Sequence, residues 1–211
     1  MTGDILAYFS EHGTEYLGLL GTHIAISAVS VILAMLLGIP LGVLCAKYRL
    51  LKGVSESAFG LLRIVPSLAV LLLLIPVMGT GIRPAVIALV ILAVPPILLN
   101  TITAFLNLPA SVLEAAEAMG MSHVSRFFCI KLPLAFPLIF AGIRTAAIEV
   151  IASATIASYI GAGGLGDIIV TGLALLRTDL LVIGGGSAAL LSLTVGALLD
   201  LWYRSMTKYL Q

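Results

Sequence analysis

From Thr22 to Ala46 the chain carries no acidic and no basic residue; apart from His23 and small hydroxyl side chains it is apolar throughout. Away from water such a run can satisfy its backbone N–H and C=O groups only as a helix, and it exceeds the roughly 20 residues needed to cross a bilayer. Runs of the same character follow at 54–78, 84–106, 133–158 and 179–201, the first being 22–46. Hydrophobic residues make up 61% of the 211 and charged residues 10%, with a mean hydropathy of +1.20. A soluble domain averages about 45–50% apolar and about 25% charged. The pattern predicts an all-α membrane protein of about five transmembrane helices, organised as one domain over 1–211.

Taken in order, residues 1–21 hold Asp4, Glu11 and Glu15 but no Lys or Arg. A secretory signal starts basic, so this segment is expected to be a short amphipathic lead-in on the outer surface. Lys47, Arg49 and Lys52 close the first span. The second span contains Arg63, and Pro66 and Pro76 are expected to kink it. Gly79-Thr80-Gly81 reads as a tight outer turn. Pro95-Pro96 breaks the third span near its middle, with Asn100 a turn further on, while Arg144 and Glu149 fall inside the fourth. Residues 159–178 are too rich in glycine for a regular span and read as an irregular outer segment with a short re-entrant helix. In the fifth span, Gly184-Gly185-Gly186-Ser187-Ala188-Ala189 predicts a close-packing face. Trp202 and Tyr203 mark the inner interface. Seven basic residues (Lys47, Arg49, Lys52, Arg126, Lys131, Arg204 and Lys208) fall on one side and only Arg83 and Arg177 on the other. By the positive-inside rule the N-terminus lies outside and the C-terminus in the cytoplasm of a plasma-membrane protein.

The long polar interruption is 109–133, between the third and fourth spans. Pro109 stops the preceding helix, and Ser111 stands three residues before Glu114, the spacing of a capping box. Val112, Ala116 and Met119 fall on one helical face, with Glu114 and Glu117 turned away. Gly120 can take the left-handed conformation that ends a helix, and a second short amphipathic segment starts at Ser122. Two short helices joined at a glycine, held outside the membrane, leave a face for a partner.

Several chemistries are excluded or weakened. There is no GxxxxGK[ST] phosphate loop, so ATP cannot be hydrolysed here by that device. A net charge of +1 offers no basic stripe for nucleic acid. No metal-ligand, paired-carboxylate or Ser/His/Asp pattern is visible, and His12, His23 and His123 are scattered. Cys45 and Cys129, near the cytoplasmic ends of spans, read as small apolar fillers. Gly161, Gly163, Gly164 and Gly166 fit G-x-G-x-x-G, but that fingerprint has meaning only between a strand and a helix of a soluble βαβ unit. Here the glycines offer close backbone approach and flexibility, at an outer gate or receptor contact, or simply a loose connection. Arg63, Arg144 and Glu149 are costly at membrane depth. They read either as pathway lining or a switching ion pair, or as a static pair or a snorkelling arginine.

Glu114-Ala115-Ala116, three residues, Gly120, nine residues, Ile130, one residue and Leu132-Pro133 resemble the EAA signature of ABC-transporter permease subunits. The resemblance implies a type I ABC importer permease fold whose coupling loop, here Glu114, Ala115, Ala116, Glu117, Gly120, Ile130, Leu132 and Pro133, docks on an ATPase subunit. It also implies no enzymatic activity and no cofactor in this chain, with ATP and Mg held by separate ATPase subunits. The expected partners are those ATPases, a separate extracytoplasmic substrate-binding protein, a second permease (identical or a paralogue) and the lipid bilayer. Arg63 through Ala69, Gly79 through Ile82 and Ala154 through Ser158 resemble permeases for glycine betaine, carnitine and choline, as does the glycine segment after them. The resemblance therefore implies osmoprotectant transport, with methionine-type permeases sharing the layout. Arg63, Asn100, Arg144, Glu149 and the four loop glycines are the candidate pathway or gate residues. A passive channel and a non-transporting scaffold are the readings from other classes.

Overall fold

The computed structural model describes residues 2–62 and 64–207, and its described residues are helical with short connections. In chain order the helices are α1 (Thr2–Lys47), α2 (Arg49–Leu62), α3 (Ser67–Met78), α4 (Ile82–Leu106), α5 (Ala110–Ala118) and α6 (His123–Arg126). A π-helical turn (Phe127–Lys131) leads into α7 (Leu132–Ala157); a 3₁₀ turn (Ser158–Ile160), α8 (Leu165–Ala174) and α9 (Thr178–Thr207) complete it. Among the described residues, four helical stretches are long and apolar enough to cross a membrane: Ile5–Lys47, Ile82–Leu106, His123–Ile160 and Thr178–Met206.

The centre of the bundle is α4, which packs against both α1 and α7. Leu89, Ile97, Leu98 and Ile102 are fully enclosed there, joined by Ala34 of α1, Leu71 of α3 and Ala146 and Val150 of α7. Apolar lipid does not drive these helices together, so small residues that admit the neighbouring backbone carry the association. A Cβ on Gly42 would lie 2.6 Å from Thr101 Cβ, and one on Gly142 would lie 2.8 Å from the Pro96 carbonyl. Gly38 approaches Ile97 in the same way. Together Gly38 and Gly42 form a G-x-x-x-G seam between α1 and α4.

Four expectations are corrected, the first being the break at Pro95-Pro96, since α4 runs as one helix from Ile82 to Leu106 through both prolines. Of the segment expected as a lead-in at 1–21, residues 2–21 do not lie apart on the surface but begin α1, bent at His12, where the backbone leaves helical angles (φ −118°, ψ 17°). Its residues pack on α8 and α9 through Tyr8, Tyr16, Leu19 and Leu20, and Tyr16 donates a hydrogen bond to Ser187 at 2.9 Å. The apolar side of this lead-in thus finds protein. The span expected at 54–78 is divided into α2 and α3. Ile64 and Val65 N–H groups close tight turns onto the Leu61 and Leu62 carbonyls, and Pro66 is extended at the head of α3 (φ −59°, ψ 134°). Proline pushes the preceding residue out of the α region, giving a break where a kink was expected. Finally, the small-residue run of α9 is closely packed only in part: Gly184 lies 2.7 Å from Ile169 at its Cβ position and Ala188 is buried beside α8, while Gly185 and Gly186 have open space. The tight turn at Gly79-Thr80-Gly81 is present, with positive φ at both glycines.

Candidate functional site

The α5–α6 loop is built from backbone caps outward. Pro109, extended at φ −61° and ψ 120°, is the N-cap of α5, and its carbonyl accepts from Leu113 N–H at 3.3 Å. Ser111 therefore lies within the first turn, and the Ser111–Glu114 capping box does not set the start of this helix. Proline with its preset φ begins the helix earlier than the serine spacing implies. The far end follows the expected chemistry: Gly120 is left-handed (φ 77°), its N–H bonds to Glu117 O at 2.9 Å, and Met121 N–H bonds to Ala116 O at 3.1 Å. This double closure is a Schellman motif. Ser122 caps α6, its hydroxyl accepting from Ser125 N–H at 3.2 Å.

Of the expected apolar face, only Ala116 is enclosed; Val112 and Met119 stand exposed, as do Glu114 and Ala115. The acids do not share one role, because Glu117 reaches across the turn. Its Oε2 accepts from Arg126 Nη1 at 2.5 Å, and Arg126 Nη2 donates to His123 Nδ1 at 2.8 Å. The arginine is buried and clamps the two short helices at a fixed angle, whereas Glu117 remains largely in solvent. Arg126 and His123 were missed as site residues by sequence reasoning, although one basic residue nine positions after an acid across a glycine was a usable signal.

The second half of the loop is continuous with a span. Arg126, Phe127, Lys131 and Leu132 all hold right-handed helical angles, so α6, the π turn and α7 form one rod. Ile130 sits in the π turn, and Leu132 and Pro133 open α7. Leu132 N–H bonds to Phe127 O, five residues back. Phe127 stacks on Phe105 of α4 at 5.7 Å between centroids, and Leu132 packs by Ala104, Ala135 and Ile139. Cys129 is exposed, which does not suit an apolar filler, while Cys45 is buried.

At the opposite end, two of the four candidate glycines, Gly164 and Gly166, are seated tightly, whereas Gly161 is exposed and Gly163 makes ordinary contacts. Gly161, Gly163 and Gly164 have positive φ. The Gly163 carbonyl accepts from Ser158 Oγ at 2.9 Å, and Gly81 N–H bonds to Ile160 O at 2.7 Å. A Cβ on Gly166 would come within 2.0 Å of the Thr155 carbonyl, so α8 rests directly on the α7 backbone. Gly164 lies against His23, whose buried ring donates from Nε2 to Ile151 O at 3.1 Å.

The intramembrane candidates are dispersed. Arg63 lies outside the described residues. Asn100 sits at the α4–α7 seam and donates to Pro96 O at 2.8 Å. Glu149 is half-buried on α7. Arg144 meets Asp200 of α9, with Nε 2.8 Å from Oδ1, a partner that sequence reasoning did not find. The aromatic side chains Phe136, Phe140, Trp202 and Tyr203 cluster between α7 and α9 and spend their ring faces on one another.

Four long apolar helical stretches among the described residues, with a polar two-helix loop continuous with one of them, make a multi-pass membrane protein. The chain belongs to the family of binding-protein-dependent transport system inner membrane components, whose model matches residues 38–209. It is 40% identical to the carnitine transport permease protein OpuCB of Listeria monocytogenes over 205 residues, covering 97% of this chain and 94% of that protein. It is 36% identical to the choline transport system permease protein OpuBB of Bacillus subtilis over 203 residues, covering 96% and 94%. Among solved structures, the methionine ABC transporter MetNI in an inward-facing conformation superposes with a TM-score of 0.76 at 22% identity, covering 89% of this chain and 94% of that one. An amino acid ABC transporter matches with a TM-score of 0.73 at 20% identity, covering 93% and 96%.

Proposed function

We propose that this chain is the permease subunit of an ATP-driven importer for quaternary ammonium osmoprotectants of the glycine betaine, carnitine and choline class. It pairs with a second permease, identical or paralogous, and receives solute from a separate extracytoplasmic binding protein. ATP and Mg are held on separate ATPase subunits, which dock against α5 from the cytoplasm. The N-terminus is outside and the C-terminus inside, in keeping with the basic residues gathered on the α5–α6 side.

One observation carries the mechanical part of this reading: the clamped loop is the continuation of α7. A load applied to Glu114, Ala115 and the neighbouring exposed surface of α5 passes through the Glu117–Arg126 clamp into a rod running from His123 to Ala157. ATPase closure tilts that rod and turns the cavity outward; hydrolysis resets it. Selection of the solute is left to the binding protein, because the spans offer stacked aromatic rings rather than the open cage a quaternary ammonium prefers. The substrate class is supported by the names of the relatives.

The test is copurification from the native membrane followed by reconstituted uptake, with and without Gly120→Val. Gly120 has open space around a Cβ but a positive φ, so valine there costs about 1–2 kcal/mol of backbone strain without a clash. The unaltered chain should bring down an ATPase and a binding protein and support ATP-dependent uptake of betaine, carnitine or choline. The variant should insert normally yet lose the ATPase. Solute flux through the chain alone would favour a passive channel, and uptake restricted to methionine would overturn the substrate class.

A further inference from the structure

The outward faces of α1 and α7 differ in a way lipid alone does not explain. On α1 the exposed side chains through the span are apolar and mostly large: Ile24, Val29, Ile32, Leu33, Leu36 and Leu37, with Ala25 and Ala28 among them. On α7 one face at helical spacing carries Ala141, Arg144, Thr145, Ile148, Glu149 and Ala152, all partly or fully exposed, while the large exposed residues Leu134 and Leu138 lie nearer its start. Beside them α9 places Ser192, Gly196 and Asp200, four residues apart on one face, with Gly196 buried against Ile148. The two faces border a cleft of about 240 Å³ whose lining includes Arg144, Ile148, Ser192, Gly196, Ala197 and Asp200.

The Arg144–Asp200 pair lines this cleft, with both side chains 42% exposed. A charge left open to hydrocarbon costs several kcal/mol, so intramembrane charges face a bundle interior or water. A pair this open needs water or the second permease against it, not lipid. Its attachment is also loose: Nε approaches Oδ1 to 2.8 Å, but its N–H is not directed along a hydrogen bond. Such a contact holds by charge and can slide. Arg144 stands on the rod that carries Arg126, about 27 Å along it at 1.5 Å per residue. One rod thus grips α5 at one end and α9 near its middle.

We propose that the α7–α9 cleft is part of the wall of the solute path, and that Arg144 and Asp200 form the positioning joint through which tilting of α7 moves α9. The proposal deepens the importer reading and rests on it for the source of the tilt. Water access to the cleft does not depend on which solute is carried.

The complete transporter, with its ATPase and binding protein, is reconstituted after Cys45→Ala and Cys129→Ser. Single cysteines are then introduced by Ser192→Cys in the cleft and Leu36→Cys on the outer face of α1. A trimethylammonium-bearing, membrane-impermeant methanethiosulfonate is the probe. It should label the cleft cysteine at least about tenfold faster than the α1 cysteine, at a rate altered by ATP. Equally negligible labelling at both, with a bilayer-soluble maleimide reacting at both, would overturn the water-facing assignment. In parallel, Arg144→Gln and Asp200→Asn should each lower uptake per ATP hydrolysed by about tenfold while ATPase activity persists, and the exchanged pair R144D/D200R should recover much of it. Unchanged uptake per ATP in the single variants, or parallel loss of uptake and ATPase that the exchange does not rescue, would overturn the joint. Absence of ATP-dependent uptake in the unaltered transporter would instead defeat the importer reading, leaving the labelling contrast to stand or fall by itself.

Discussion

The α5–α6 loop and the glycine segment before α8 lie at opposite ends of the bundle and are held by different forces. In the loop, shape comes from directed polar contacts: a Schellman closure at Gly120, a hydroxyl cap at Ser122 and the buried Arg126 bridging Glu117 and His123. Its apolar side chains are largely left in the open, as at Val112 and Met119. At the other end, order comes from missing side chains, with Gly166 on the Thr155 carbonyl, Gly164 on His23 and Gly184 on Ile169. A surface that must receive a partner can be fixed by hydrogen bonds without spending its apolar groups. Helices that must stay together in lipid gain most from backbone proximity. Of the glycines expected to give close backbone approach and flexibility, Gly164 and Gly166 give close approach and are fastened points, and the polar loop is the separable part.

Substitutions should separate the two kinds of attachment, beginning with the largest effect. Gly166→Val drives methyl groups into the Thr155 carbonyl and Ser158 hydroxyl, costing about 3 kcal/mol by overpacking; thermal unfolding in detergent should show a clear loss of stability, and an unchanged midpoint would deny the seam. Arg126→Gln should release the clamp, a loss of about 1–2 kcal/mol after allowing for the solvent around Glu117. Hydrogen exchange should then quicken through α5 while α8 and α9 keep their protection. Smaller still, Ser122→Ala should cost about 1 kcal/mol through the lost cap. Ser111→Ala should stay within about 0.5 kcal/mol, since the helix already starts at Pro109. Equal effects at the two serines, in the same exchange experiment, would contradict the observed caps.

Much of this architecture is legible in the sequence because lipid imposes a simple rule on long runs. The helices around 84–106, 133–158 and 179–201 follow from apolar length, and the loop stands out as the charged interruption. Gly120 and Ser122 are readable since their roles depend on the residues beside them. The break at Pro66 is harder: a proline in a span can bend or divide the helix, and the outcome depends on packing around it. The extension of α1 through the lead-in depends on α8 and α9, which are remote in sequence. The partner of Arg144 was hidden for the same reason. Asp200 lies close to Trp202 and Tyr203 and passes, in one dimension, for an interfacial residue. The seams at Gly42 and Gly142 likewise become visible only when α4 is in place.

The π turn at Phe127–Lys131 also sets a phase. A π turn holds one residue more than the α-helix it interrupts, and each α-helical residue rotates the chain by about 100°. The turn therefore fixes the azimuth of α5 and α6 relative to the membrane portion of the same rod, independently of the clamp that fixes their mutual angle. Deleting one residue there would give an uninterrupted α-helix with its caps and its Arg126–Glu117 contact intact, yet rotated by about a quarter turn. Such a chain would offer its partner a well-formed surface facing the wrong way.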